Sequence, residues 1–127
     1  MKYLVNTNKT VEQAATDLQA AVEKNGFGVL HIYNLQQTLM NKGVALENDC
    51  RILEVCNPHK AKEVLDADMS MNMALPCRIS VYEEDKQTKI GMITPTTMLS
   101  LLGKSETLSK VATEVEEAIK LMIDEAK

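Results

Sequence analysis

The chain has 127 residues, 45% of them hydrophobic and 25% charged, with a formal net charge of -4. That length fits one domain with one real core, and the acidic balance excludes the basic face that a nucleic-acid backbone requires. No apolar run reaches the ~18 residues of a membrane span, and "MKYLVNTNKT" turns polar at Asn6, which excludes a secretory h-region. Three Tyr, one Phe and no Trp leave the core to aliphatic residues, with eight Met as flexible filler. Three Cys without a tight repeat read as reduced thiols of a cytoplasmic protein rather than as a disulfide framework.

"KYLVNT" reads as a first strand. Thr10 and Gln13 then form a capping box, and Val11, Ala14, Ala15, Leu18, Ala21 and Val22 follow at helical spacing. Asn25-Gly26 ends that helix, Gly26 being free to take positive φ. "FGVLHIYNL" is a second strand. "LQQTLMNKG" adds a helical turn or two before Gly43, and residues 44–49 show no period and read as loop. "CRILEVC" is a third, largely buried strand. Asn57-Pro58 opens a helix, Asn as N-cap and Pro at the first helical position. "PCRISVYEED" and "TKIGMIT" read as a hairpin joined at "EDKQ". Thr94-Pro95 repeats the cap-plus-Pro device and opens a short helix that stops at Gly103. Ser105 caps a long final helix whose buried face is Leu108, Val111, Ala112, Val115, Ala118, Ile119 and Met122. No linker, repeat or low-complexity tract interrupts residues 1–127, so the expectation is a single α+β domain with an antiparallel sheet backed by the first and last helices.

In "EVCNP", "LPCRISVYE" and the downstream Thr94-Pro95, together with "NGFGV" and "LMNKGV", the chain resembles domain-of-unknown-function family 302 over nearly its whole length. The resemblance implies a curved antiparallel sheet in β-α-β4-α order, a helix-grip or TATA-binding-protein-like topology with the long C-terminal helix packed on the sheet. It also implies a homodimer. It implies no activity, and the likeness to a DNA-binding fold carries no function by itself. Met69, Met71 and Met73 depart from the family pattern, which has aliphatic residues and Gly there.

Cys56 and Cys77 each sit where a strand meets a Pro-marked break. If their strands are neighbours, the helix between them returns the chain to its starting level, and the two sulfurs approach the ~7 Å Cα separation that a disulfide needs. The helix starting at Asn57-Pro58 places a positive dipole end beside Cys56, which lowers a thiol pKa; Arg78 or Lys60 must also approach to make it strongly reactive. Strand phase opposes the pairing, since Cys77 shares its face with Ile79 and Val81 while Cys56 alternates against Leu53 and Val55. The competing reading is two packed structural thiols. Met69, Met71 and Met73, placed on one face of an extended segment, make a soft-metal candidate for Cu(I) with Cys77, His31 or His59, set against their use as packing. Cys56 with His59 is a weak dyad. The acidic residues match no metal loop, and the five Gly read as isolated turn formers rather than as a phosphate cradle.

The resulting expectation is a dimeric module that binds a small ligand or a partner, with Cys56, Asn57, Pro58, Cys77 and Arg78 as its site and no cofactor, nucleic acid or membrane. Thiol-redox or sulfur-carrying chemistry at Cys56 and Cys77 is one alternative, and a scaffold without a ligand is the other. Enzymatic activity stays open.

Overall fold

The computed structural model describes residues 1–103 and 105–127. The elements in chain order are β1 (Lys2–Thr7), α1 (Val11–Lys24), β2 (Gly28–Asn34), α2 (Leu35–Asn41), β3 (Cys50–Cys56), α3 (Pro58–Ala67), a 3-10 helix (Met69–Ala74), β4 (Cys77–Glu84), β5 (Gln87–Ile93), α4 (Pro95–Leu102) and α5 (Glu106–Ala126). The strands form one antiparallel sheet in the order β1-β5-β4-β3-β2. The β-α-β4-α framework is therefore present, with the shorter helices set between its members. The sheet is curved and open, and the long C-terminal helix packs on it.

The apolar spacing of α1 produces the face it predicts: Val11, Ala14, Ala15, Leu18, Ala21 and Val22 are all buried. Thr10 Oγ1 accepts a hydrogen bond from the Gln13 amide at 3.1 Å. Gln13 does not reach back as a capping box requires; its side chain donates to Asp17. From α5, the buried face is Leu108, Val111, Val115, Ile119, Met122, Ile123 and Ala126. These two helices cover one face of the sheet, meeting Leu53, Val55, Ile79, Val81, Ile90 and Met92. Residues of opposite phase, among them Leu4, Tyr33, Arg78 and Ile93, are exposed.

Two local devices differ from expectation. Thr94 makes no side-chain cap bond to α4. The Glu116 carboxylate of α5 supplies the cap instead, accepting from the Thr96 amide at 3.1 Å and the Thr96 hydroxyl at 2.7 Å, and this ties α4 to α5. Gly91 is no turn former: it lies inside β5. A Cβ there would meet the Leu4 Cδ1 at 2.6 Å and the Tyr3 carbonyl oxygen at 2.9 Å. Gly91 pairs with Leu4 on one side and with Ser80 on the other. Pairing between β4 and β5 stops at Ser80–Gly91, although β4 extends back to Cys77 and β5 runs on to Ile93. From that point β5 pairs only with β1, through Tyr3–Met92 and Lys2–Ile93.

Gly91→Ala is expected to destabilise the fold by about 1–3 kcal/mol, the range for inserting a methyl group into a closed contact, against the usual gain when a strand glycine acquires a side chain. Equilibrium urea unfolding of the two proteins checks this; an unchanged or higher midpoint contradicts it.

Candidate functional site

Where β4 and β5 part, the fold encloses a cavity of about 410 Å³, within the range of roughly 300–1,000 Å³ usual for small-ligand sites. Its lining comes from both faces of the sheet: Met92 and Cys77 have the helix-side phase, while Ile52, Arg78, Ser80 and Ile93 have the opposite one. Residues of both phases meet the cavity where the two strands are no longer paired. On the helix side the wall is Val111, Val115 and Ile119 of α5, with Met98 and Leu99 of α4. A small second core closes the flank, formed by Met71, Leu99 and Leu108 packed with Val64 and Ala112. Among the lining residues described, Arg78 alone is charged; most of the rest are aliphatic side chains and methionines.

The cysteine region is only partly the site that was expected. Cys77 lines the cavity and Arg78 follows it, so this half of the candidate set stands at the opening. Cys56, Asn57 and Pro58 are not among the lining residues. Cys77 pairs with Val55, which gives it the helix-side phase and places Cys56 on the other. All three cysteines are free.

The expected activation of Cys56 is reversed. Burial pushes its thiol pKa up. The amides that were to stabilise a thiolate are occupied, because Asn57 Oδ1 accepts from His59 N at 3.0 Å and Lys60 N at 3.2 Å. Lys60 is engaged with Glu114. Cys77 is shifted further, pushed up to about 11 by burial and by the neighbouring Cys56. Cys50 is also raised, by burial and then by Asp49.

The weaker, soft-metal reading of the methionines has no common face to rest on. Met69–Ala74 is a 3-10 helix rather than an extended segment. With three residues per turn, alternate residues turn away from one another: Met71 is 6% exposed, Met69 65% and Met73 71%. Met71 packs against Leu99 and Leu108, so one of the three serves the core and none shares a face with the next. His59 is exposed at the start of α3, and His31 is exposed with its ring edge-on to Tyr33. Neither histidine hydrogen-bonds a cysteine among the described residues, which leaves the Cys56–His59 dyad without geometry.

A family model described as "Domain of unknown function DUF302" matches residues 3–126. The chain belongs to this family. It is 30% identical to the uncharacterized conserved DUF302 protein of Bacillus stearothermophilus, whose crystal structure it matches with a TM-score of 0.93 over 99% of this chain and 98% of that one. No curated protein matches the chain. Within the DUF302 fold the walls of the cavity contributed by β5, α4 and α5 were missed in the sequence, where their residues read as ordinary core. One signal was available: an isolated Gly inside "KIGMIT" marks a close backbone approach.

The Cys77 shift carries a sign. The unfolded thiol ionises near 9.0, the ordinary value for the group, while the folded one holds its proton to about 11. Between these values the unfolded chain releases a proton that the folded chain keeps, so stability is whole below about pH 9 and falls as pH rises toward 11. The loss expected from this one group is at most about 2–3 kcal/mol. Chemical unfolding of wild type and Cys77→Val across this range checks it: the wild type loses stability more steeply than the variant, and parallel curves contradict the assignment.

Proposed function

We propose that this protein is a small-molecule binding module whose ligand is an elongated apolar compound held between β4 and β5. The observation that carries this reading is the cavity lined by residues of both strand phases where the ladder stops at Ser80–Gly91. A lining of Met71, Met92 and Met98 suits such a ligand, because unbranched thioether side chains adapt to irregular apolar shapes. The raised pKa values of Cys56 and Cys77 disfavour the thiol-redox alternative, since the thiolate is the reactive form.

The proposal includes a homodimer in a reducing, cytoplasmic setting. Its supports are the family resemblance, the three free thiols, and exposed apolar side chains on the helix-free phase of the sheet, Leu4 at 40% and Ile93 at 62%. No helix of the described residues is long and apolar enough to cross a membrane. A monomer in sedimentation equilibrium at tens of micromolar, a range where specific dimers persist, contradicts the dimer.

The test of ligand binding is titration with neutral decanol. At about 0.8 kcal/mol per methylene, burying such a chain yields roughly 7 kcal/mol before ordering costs, so millimolar to micromolar binding is expected. Ala112→Phe puts an aromatic ring into the cavity wall and is expected to weaken decanol binding at least about tenfold while circular dichroism stays native. If wild type does not bind, or the filled variant binds as well, the cavity is not a ligand site.

A further inference from the structure

We infer that the ligand is an alkyl carboxylate, with its chain between β4 and β5 and its anionic head at Arg78; this rests on the cavity reading above and adds the chemistry of the head group. Every charged side chain lining the cavity reduces to one, Arg78, among the described residues. Its strand phase puts it on the exposed side of the sheet, the side from which Ser80 and Ile93 also reach the cavity. The helix-side wall is apolar throughout. A ligand that fills this space meets hydrocarbon over most of its surface and Arg78 on the exposed side of the sheet, which is the polarity of an anionic amphiphile.

Arg78 is available for that role. It stands across the β3–β4 ladder from Glu54, but the Glu54 carboxylate accepts a hydrogen bond from the Tyr33 hydroxyl at 3.0 Å, and Arg78 forms no ion pair within 4.0 Å among the described residues. Lys60 of α3 and Lys120 of α5 are already engaged, with Glu114 and Glu116. The guanidinium fork matches a planar carboxylate with two parallel hydrogen bonds. The neighbouring backbone adds to this. In an antiparallel ladder alternate residues turn their N–H and C=O groups toward a given neighbour, so the end of pairing at Ser80–Gly91 turns a polar backbone edge of β4 toward the opening. A neutral or cationic head would leave the guanidinium unmatched or repelled beside hydrocarbon.

The experiment is calorimetric titration of the full chain with decanoate, decanol and decyltrimethylammonium at about pH 8, where the carboxylate is ionised. Wild type is expected to bind decanoate at least about tenfold more tightly than decanol, the step expected of a charge-assisted hydrogen bond, and the ammonium compound most weakly. In Arg78→Gln the decanoate-to-decanol ratio is expected to fall toward unity. If wild type binds decanoate and decanol equally, or if the preference survives Arg78→Gln, the head-group assignment is overturned while the cavity remains a ligand site. If none of the three binds, the cavity reading itself fails and this inference with it.

Discussion

The structure turns on where β5 leaves β4. An antiparallel hairpin ordinarily pairs to its ends, because each unpaired residue gives up ladder hydrogen bonds and cross-strand packing. Here the ladder that begins at Glu84–Gln87 stops at Ser80–Gly91. Gly91 is where β5 is held tightly by its other neighbour: the Leu4 side chain and the Tyr3 carbonyl occupy the space a Cβ would need. The strand thus stays with β1 while β4 stays with β3. The separation is supported from outside the sheet. Glu116 caps α4 and ties it to α5, while Met71, Leu99 and Leu108 form a core of their own beside the main one. The space that remains is lined from both cores.

That arrangement sorts the chemistry of the site. Apolar walls and a half-buried thiol suit binding better than nucleophilic attack, since desolvation raises a thiol pKa and lowers the thiolate fraction. Burial is the first cause of the shift at Cys50, Cys56 and Cys77 alike. The same fact explains why a helix start beside Cys56 does not activate it. An N-cap side chain and a thiolate compete for the same amides, and at α3 Asn57 Oδ1 already accepts from them. At an exposed site the dipole contributes only about 0.3–1 kcal/mol, less than one pKa unit.

Much of the fold was legible because its signals are local. The period of Val11 to Val22, the stop at Asn25-Gly26, the Asn57-Pro58 start and the alternation of Ile79 and Val81 each report on a few neighbouring residues, and each element formed where those signals lie. The phase of Cys77 with Ile79 and Val81 was also readable, and the register places it there. The cavity was not legible, since Met92, Leu99, Val111 and Ile119 are distant in sequence and each reads as core on its own. The methionine run was read as packing, which holds for Met71, but its local shape was not legible. Alternation at positions 69, 71 and 73 has the period of a strand, and only the tertiary demand to bury Met71 against Leu99 and Leu108 sets it as a 3-10 helix. The α4 cap was missed because its acceptor, Glu116, lies twenty residues downstream.

The proposal stands on apolar ligands entering between β4 and β5. The methionines report on this directly, because Met71, Met92 and Met98 line the cavity while Met69 and Met73 are exposed outside it. The most direct measurement is a methyl NMR titration of methionine-labelled protein with decanol. The account predicts saturable shifts at Met71, Met92 and Met98, with Met69 and Met73 little changed. Shifts that begin at Met69 and Met73, or that spread evenly over all eight methionines, contradict it.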